Sequence, residues 1–187
     1  MITARSEKTA PNRVQIRALY NEAFPKNERL PWWLLRLWAT WKRGDLTAYY
    51  YGDTFLGFTF SVTVQEAFYV MFFAVAKELR GQGCGTAILE HIKQQNADKT
   101  IFLVAEPLEK SASNYLQRQR RLAFYEKNGF HDTGCNGREV GGMFCVLSTT
   151  GTIDEKTYRQ VFQKLTFGLW RPRLVKVRPS AQERETI

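Results

Sequence analysis

The alternation of hydrophobic and polar residues predicts a buried strand followed by an amphipathic helix near the middle of the chain. Residues 69–76 are almost continuously apolar, as in a strand that is buried on both faces. Residues 86–93 then repeat apolar side chains at helical spacing, with polar side chains on the opposite face. A second apolar run follows at residues 100–105. This order of strand, helix and strand predicts a parallel, right-handed crossover.

Two helices and a β-hairpin are predicted before this crossover. Asn12 is a candidate N-cap for the first helix, and Pro31 suits the start of the second. Gly52 and Asp53 separate two runs rich in aromatic and β-branched residues, which predicts a tight hairpin turn. The predicted helices span residues 13–24 and 32–43, the hairpin strands span residues 46–51 and 54–64, and residues 1–5 are predicted as a short edge strand.

The second helix has a broad apolar face that includes Trp33, Leu34, Trp38 and Trp41. Packing against the sheet is one interpretation of this aromatic stripe. The wall of a substrate pocket is the other. The sequence leaves both open.

A further helix, two closing strands and a terminal helix are predicted after the crossover. Gly129 suits the position that follows the end of a helix. The two strands are expected to be joined by a loose segment. Residues 172–187, with their prolines and scattered charges, are expected to add little to the core. The predicted elements span residues 118–128, 130–134, 143–149 and 154–167. We therefore predict one domain over residues 1–168 and a basic tail over residues 169–187.

Composition excludes several classes of protein. A chain of 187 residues with 44% hydrophobic and 14% aromatic residues can bury a real core and is not largely disordered. No apolar run reaches membrane-spanning length and no signal peptide opens the chain, so no membrane partner is expected. The odd number of cysteines (Cys84, Cys135 and Cys145) and the two histidines form no recognisable metal site. A reducing cytoplasm is the predicted location.

The net charge of +9 is compatible with three interpretations. These are a nucleic-acid-binding surface, a basic mouth for an anionic cofactor, or an ordinary solvated surface. No nucleic-acid motif is present, and much of the excess charge lies in the tail and in residues 118–121. No nucleic-acid partner is therefore expected.

The turn between the buried strand and its helix reads RGQGCGT and has three glycines in five positions. Glycines let the backbone approach a ligand closely and adopt a positive φ. The free N–H groups and the dipole of the following helix favour an anion at the same place. The spacing fits neither a Walker loop nor a dinucleotide fingerprint. The alternative is an ordinary glycine-rich turn.

Two motifs carry a resemblance to a known family. The spacing Arg-x-x-Gly-x-Gly, at Arg80, Gly83 and Gly85, directly follows FFAVAKEL and resembles the acyl-coenzyme A loop of the GNAT family of N-acetyltransferases. The segment LAFYEKNGF resembles the helix-to-strand segment of that family, with Tyr125 in the tyrosine position. The order of elements over about residues 1–150 resembles the GNAT fold. The resemblance implies an α/β fold, with a central, mostly antiparallel sheet and a parallel strand pair around the glycine-loop helix.

The resemblance also implies acetyl-CoA as co-substrate, without a metal. One residue departs from the pattern. Arg118 stands where many members carry an asparagine that touches the cofactor, and it is open to two interpretations: a phosphate contact or a solvated helix face. By resemblance, the pantetheine arm lies along Phe73, Ala74 and Val75, and the pyrophosphate lies on Arg80, Gly81, Gln82, Gly83, Cys84, Gly85 and Thr86.

Acetyl transfer requires an amine to lose protons and a thiolate to gain one. Tyr125 is the candidate acid, because a tyrosine with a pKa near 10 stays protonated at neutral pH and can donate to sulfur; a core tyrosine is the alternative. Glu106, at the end of the second parallel strand, is the candidate base or amine-orienting carboxylate. A carboxylate paired with an arginine of residues 118–121 is the alternative. Glu66 is a further candidate, and many members of the family are thought to use a water chain instead.

The favoured function is transfer of an acetyl group from acetyl-CoA to a primary amine of an unidentified small-molecule or peptide acceptor, by direct attack in a ternary complex. The alternative is a non-catalytic acyl-CoA-binding or sensing protein on the same fold. A nucleic-acid-binding domain is suggested by charge alone. A homodimer is compatible with the sequence.

Overall fold

The structure is a computed structural model that describes residues 2–8, 10–139 and 141–177. Within these ranges it has eight strands and five α-helices. The strands are β1 Ile2–Ser6, β2 Asp45–Tyr51, β3 Thr54–Thr63, β4 Ala67–Val75, β5 Thr100–Ala105, β6 His131–Glu139, β7 Gly142–Ser148 and β8 Leu174–Lys176. The helices are α1 Ala10–Ala23, α2 Trp32–Thr40, α3 Cys84–Gln95, α4 Tyr115–Lys127 and α5 Glu155–Thr166.

All eight strands belong to one mixed sheet, in the order β1-β2-β3-β4-β5-β7-β6-β8. Neighbouring strands are antiparallel except β4 and β5, which are parallel. Helix α3 connects these two strands, as expected for a crossover. The predicted fold class is confirmed: the chain has the GNAT fold, with a parallel strand pair around the glycine-loop helix.

Helices cover both faces of the sheet. On one face α1, α2 and α5 share a hydrophobic cluster with the strands, in which Leu19, Leu35 and Phe162 are buried. On the other face α3 and α4 form a second cluster, in which Ile88 and Tyr125 are buried. Apolar side chains on both faces explain why the central strands read as nearly continuous hydrophobic runs.

Helix α1 begins at Ala10, so the prediction of Asn12 as its N-cap is wrong. Pro11 fits the first turn of a helix, where a missing N–H costs no hydrogen bond. The side chain of Asn12 instead joins three elements: its Nδ2 donates to the Ser6 carbonyl over 2.9 Å, and its Oδ1 accepts from the Tyr50 hydroxyl over 2.9 Å. These contacts fix the first turn of α1 against β1 and β2.

The segment predicted as loose belongs to β6, which runs to Glu139. Gly137 pairs with Phe144 of β7 on one side and with Leu174 of β8 on the other. Leu174 departs from the expectation that residues 172–187 add little to the core, because it packs against the hydrophobic cluster that α1, α2 and α5 share. Trp170 packs edge-on against Phe162, with ring centroids 4.9 Å apart. The part of the predicted tail beyond residue 177 lies outside the described residues, and so does Met1 of the predicted edge strand.

Within the described ranges, no helix has the length and apolar character needed to span a membrane.

Candidate active site

Strands β4 and β5 separate in the middle of the sheet. Their pairing ends at Val70 and Leu103, but β4 continues to Val75 beside β3, and β5 continues to Ala105 beside β7. The two strands therefore diverge towards their carboxyl ends. In α/β sheets, a gap at the carboxyl ends of parallel strands is a common place for a ligand.

A β-bulge lies where the two strands separate. Phe60 of β3 pairs with Phe72, whereas its neighbour Ser61 pairs with Val70, so Met71 has no partner in β3. An extra residue of this kind bends a strand and increases its twist. The bulge thus turns the end of β4 away from β5 and opens the gap.

A cavity of about 510 Å³ occupies this gap and extends to the glycine loop. We call it the cofactor groove. Eight of the ten residues predicted to bind the cofactor line it: Phe73, Ala74, Val75, Arg80, Gly81, Gly83, Gly85 and Thr86. Two do not. The side chain of Gln82 donates to the Glu78 carbonyl over 2.7 Å, and Cys84 begins α3 and packs against the second hydrophobic cluster.

The glycine loop has the conformation of an anion site. Gly81 and Gly83 have φ of +76° and +82°, in the left-handed region, and a Cβ at either position would meet open space. The hydrogen bond from the Ala87 N–H to the Gly83 carbonyl, at 3.0 Å, is the first of α3. The N–H groups of the three residues in between precede that bond and have no partner within the helix. They face the position where an anion gains most from the helix dipole.

Gly85 has a different role from the other two glycines. A Cβ at this position would lie 3.0 Å from the Phe124 ring and 3.4 Å from a Val75 methyl group. Its missing side chain therefore lets α4 pack close to the loop. Phe124 in turn stacks on Phe73, with ring centroids 6.4 Å apart, and these rings form one wall of the groove.

Arg80 lies at the rim of the groove. Its Nε donates to the Val75 carbonyl over 3.0 Å, and its Nη2 lies 3.8 Å from Glu22 Oε1. Nearly half of the side chain is exposed. An ion pair this exposed contributes little to stability, so the guanidinium is free to reorient towards an anion.

Tyr125 lies on α4 and lines the groove opposite the end of β4. Burial raises the pKa of its hydroxyl above the ordinary value, and the nearby Arg121 guanidinium opposes this shift. None of the hydrogen bonds found among the described residues involves this hydroxyl. A protonated hydroxyl that faces a ligand groove is able to donate a proton there.

Arg118 does not face the groove. Its Nη2 lies 3.0 Å from Glu106 Oε1, its Nη1 donates to the Pro107 carbonyl over 2.9 Å, and its Nε donates to Asn114 Oδ1 over 2.8 Å. All three guanidinium nitrogens are engaged in holding the loop between β5 and α4. The suggestion that Arg118 contacts a cofactor phosphate is therefore not supported.

Glu106 follows β5 as predicted, but it is the centre of an ion-pair cluster. Its Oε1 accepts from Arg118 and from Asn114, the latter over 3.1 Å, and its Oε2 accepts from Arg121 over 3.2 Å. The side chain is only 13% exposed. With donors on both oxygens, Glu106 is better suited to positioning Arg121 than to accepting a proton. Its catalytic role stays a prediction.

Glu66 lies at the wrong end of β4 for this chemistry. It directly precedes the strand, and its carbonyl accepts from the Thr100 N–H over 3.0 Å. The gap between β4 and β5 opens beyond Val70, and Met71, where the strands separate, lies about 16 Å from Glu66 at roughly 3.3 Å per residue. Glu66 is therefore no longer a candidate.

A second cavity of about 260 Å³ adjoins the groove, and we call it the acceptor cavity. The two share Phe24, Met71, Val104 and Arg121 in their walls. Residues of α2 and α5 and Phe24, which follows α1, line most of its helical side, and these elements cover the opposite face of the sheet from α3. The gap between β4 and β5 thus connects a groove on one face with a cavity on the other.

The packing interpretation of the aromatic stripe on α2 is confirmed for Trp38, and the substrate-pocket interpretation stays a prediction. This side chain is only 8% exposed and packs against Phe60, and it also lines the acceptor cavity together with Leu34. Trp33 and Trp41 are mostly exposed. The inner side of the stripe therefore forms both core and cavity wall.

A carboxylate that the sequence did not single out also lines the acceptor cavity. The Tyr69 hydroxyl lies 2.6 Å from both oxygens of Glu139, and the Tyr158 hydroxyl donates to its Oε1 over 3.3 Å. Burial raises the pKa of Glu139 to about 7, against the lowering effect of the two tyrosine hydrogen bonds. The residue keeps partial exposure because it faces the cavity. A carboxyl group with a pKa near neutrality is suited to proton transfer.

The local pattern around Glu139 gave no signal of this role. It lies in a glycine-rich stretch that reads as a loop, and its tyrosine partners are 70 and 19 residues away. Gly137 gives the only local hint. A Cβ there would lie 2.1 Å from the Tyr158 hydroxyl, so a side chain would displace the hydroxyl from Glu139.

Protein stability should fall between about pH 5 and pH 8 because of Glu139. Its folded pKa lies above the ordinary 4.5, so in this window the folded state holds a proton that the unfolded chain has lost. Stability declines with rising pH wherever the folded state binds more protons. Glu139→Gln removes this dependence, so the Tm of the variant relative to wild type should be higher at pH 8 than at pH 5. An equal difference at both pH values would contradict the assignment.

The end of α5 and the chain that follows it close the acceptor cavity, which Thr166 of α5 and Trp170 line. Truncation after Gly168 removes Trp170 and β8 and leaves the residues of the cofactor groove in place. We expect the KM for an amine to rise roughly tenfold or more, equivalent to about 1.4 kcal/mol of lost contacts, while coenzyme A affinity changes little. Calorimetry and steady-state kinetics measure the two effects. Equal loss of both would mean that the segment supports the whole fold.

No group of three or more potential metal-ligating side chains was found among the described residues.

Comparison with protein families gave one match. Residues 42–132 match the sequence model of a family described as an acetyltransferase (GNAT) domain. No curated protein sequence matches the chain.

Several solved structures share the fold. An acetyltransferase of the GNAT family from Bacteroides thetaiotaomicron is 22% identical, with a TM-score of 0.70, over 91% of this chain and 98% of that one. An aminoglycoside 6'-N-acetyltransferase complexed with coenzyme A is 16% identical, with a TM-score of 0.62, over 79% and 95%. An Arabidopsis thaliana protein bound to the bisubstrate analogue CoA-Ac-MVNAL is 19% identical, with a TM-score of 0.56, over 79% and 97%. At these identities the likeness concerns the fold.

Proposed function

Because residues 42–132 match the GNAT acetyltransferase family, we propose that this protein transfers an acetyl group from acetyl-CoA to a primary amine. The reaction proceeds by direct attack in a ternary complex. Acetyl-CoA occupies the cofactor groove, and the amine occupies the acceptor cavity. The observation that carries this proposal is the junction of the two cavities at Met71 and Val104, where the thioester and the amine can meet.

Backbone groups and side chains both contribute to binding the cofactor. The N–H groups at the start of α3 and the positive-φ glycines hold the pyrophosphate. Arg80 adds a positive charge at the rim. The pantetheine arm follows the end of β4, where the strand has lost β5 as its neighbour and its backbone is free to pair with an amide-containing ligand. A β4 N–H in this stretch polarises the thioester carbonyl.

The chemistry begins when the neutral amine nitrogen attacks the thioester carbon. A C–N bond forms, and the carbonyl π electrons move to oxygen. When the tetrahedral intermediate collapses, the C–S bond breaks and the electron pair leaves on sulfur. The Tyr125 hydroxyl donates its proton to this thiolate, and the nitrogen gives up a proton to regenerate the acid through solvent. The products are an amide and free coenzyme A.

Two measurements on the full chain test this function. Coenzyme A should bind in calorimetry and raise the Tm by linkage. A suitable amine should accelerate thiol release from acetyl-CoA, which a sensing protein would not do. Binding of coenzyme A without amine-dependent thiol release, over a broad set of amines, would reject the enzyme and leave the binding protein.

A further inference from the structure

We propose that the acceptor cavity binds a small primary monoamine with an apolar, preferably aromatic, body, and that Glu139 binds its ammonium group and accepts its proton. This inference rests on the acetyl transfer proposed above. It adds the class of acceptor and the residue that deprotonates it.

The size of the cavity limits the acceptor. Its volume of about 260 Å³ lies below the roughly 300–1,000 Å³ of sites that hold drug-sized ligands. One ring with a short aminoalkyl chain suits such a space. A molecule of several linked sugar rings does not.

The walls of the cavity select an apolar body. Twelve of its seventeen lining residues are apolar and six of these are aromatic, including Phe24, Trp38, Phe72 and Trp170. An aromatic ring gains both burial and edge-to-face contacts in such a site. An acceptor with several hydroxyl or ammonium groups would leave them without partners, which costs free energy. The cavity therefore disfavours polyamines and aminoglycosides.

The charges that line the cavity select a single ammonium group. Glu106 is already paired with Arg118 and Arg121. Glu139 is bonded instead to two neutral tyrosine hydroxyls, so its negative charge is not compensated by a neighbouring cation. A third carboxylate, Glu28, also lines the cavity, and burial together with the charge of Glu106 raises its pKa. Of these three groups, Glu139 has the geometry of a fixed ammonium partner.

Three parts of the fold hold Glu139 in place. Tyr69 comes from β4, Tyr158 comes from α5, and Gly137 leaves the space that the Tyr158 hydroxyl occupies. Two donors fix the carboxylate orientation and leave one side towards the cavity. A carboxylate that is held in a fixed orientation in this way is suited to act as a general base.

The proton balance is simple. The ammonium group of the acceptor gives one proton to the ionised Glu139 carboxylate and becomes a neutral amine. After attack on the thioester, the thiolate takes one proton from Tyr125, and the second proton that the nitrogen loses as the amide forms restores the Tyr125 hydroxyl through solvent. Overall one proton stays on sulfur and one reaches solvent through Glu139. No oxidant, reductant or further reactant is needed.

The first test compares acceptor classes on the full chain. Thiol release from acetyl-CoA is measured with 2-phenylethylamine, butylamine, spermidine, kanamycin and a short peptide with a free N-terminus. We expect the kcat/KM for 2-phenylethylamine to exceed those for spermidine, kanamycin and the peptide by about tenfold or more. A tenfold ratio requires only a modest difference in the binding free energy that the contacts supply. A higher kcat/KM for any of these three would overturn the acceptor class while leaving the proposed function in place. No thiol release with any amine would reject both.

The second test concerns Glu139. Glu139→Gln keeps a hydrogen-bond acceptor for Tyr69 but cannot take up a proton, so kcat/KM for the best amine should fall about 100-fold or more. Coenzyme A affinity should stay within about twofold, and this binding also reports that the variant is folded. Glu90→Gln is the matched control, because Glu90 is exposed on α3 and lines neither cavity. Equal activity of Glu139→Gln and the control would remove Glu139 from the reaction.

The pH dependence of the reaction distinguishes a proton-transfer role of Glu139 from a purely structural one. In wild type, kcat/KM, which reports the ionisation of the free enzyme, should have an acidic limb near pH 7 that Glu139→Gln lacks. Tyr158→Phe removes a hydrogen bond that lowers the pKa of Glu139, so the limb should move to higher pH. A limb that does not move would contradict the role of Glu139. The groups that face Glu139 are Tyr69 on β4, Tyr158 on α5 and, lining the same cavity, Glu28, Glu106 and Arg121.

Discussion

Tyr125→Phe should lower kcat roughly 10- to 10⁴-fold, the range for the loss of a general acid that water partly replaces. The substitution removes one hydroxyl and keeps the ring, which packs against Phe124 and Phe130. Coenzyme A affinity should change much less, because negative charge develops on sulfur only in the transition state. Steady-state kinetics and calorimetry on the same preparation measure both quantities.

The loss should shrink with acyl donors whose leaving thiol has a lower pKa, since these need less protonation. Tyr49→Phe is the control, because Tyr49 is buried in the same cluster and its hydroxyl lies 3.0 Å from Thr59 Oγ1. It should cost about 0.5–1.5 kcal/mol of stability without a comparable loss of turnover. If Tyr125→Phe loses activity and Tm together, with no dependence on the donor, the hydroxyl has a structural role.

Gly83→Val should weaken coenzyme A binding about 100-fold or more, or about 2.8 kcal/mol at 1.4 kcal/mol per tenfold. The residue has a φ of +82° and its Cβ direction is open to the groove, so a valine would strain the backbone and occupy space next to the pyrophosphate site. Calorimetric titration with coenzyme A measures the effect. Arg80→Ala should cost less, because most phosphate contacts come from backbone N–H groups.

Strain and ligand exclusion can be separated with a second glycine. Gly52 also has a positive φ, of +57°, and open space around its Cβ position, but it lies in the turn between β2 and β3. Gly52→Val should lower stability without changing coenzyme A affinity. If both valine variants bind coenzyme A as wild type does, the assignment of the glycine loop is wrong. Gly85→Val provides a third case, in which Phe124 would have to move.

The sequence predicted the family and the fold class correctly because their signals are local. A buried strand, a glycine turn and an amphipathic helix are consecutive in the chain, and each follows from the residue types of a short segment. The motif around Tyr125 is equally short. The match of residues 42–132 to the GNAT family and the mixed sheet confirm both predictions.

The sequence predicted some local features wrongly because they depend on contacts between distant segments of the chain. Asn12 reads as a helix cap, yet its hydrogen bonds to Ser6 and Tyr50 give it a different role. The glycine-rich stretch before Glu139 reads as a loop, but β7 and β8 supply hydrogen-bond partners on both sides and make it a strand. Tertiary pairing overrides weak local propensity in such segments.

The amino-acid sequence by itself determined the glycine loop that we propose as the binding site of an anionic cofactor, because glycine conformation and a helix N-terminus are properties of consecutive residues. Only the tertiary structure decided what lies at the other end of that groove. The bulge at Met71 separates β4 from β5, Arg118 and Arg121 engage Glu106, and β6 brings Glu139 to tyrosines from two other elements. These contacts depend on strand register and helix packing between residues up to 70 positions apart in the chain. Burial and hydrogen bonding then set the pKa of Glu139, and neither can be read from its neighbours in the chain.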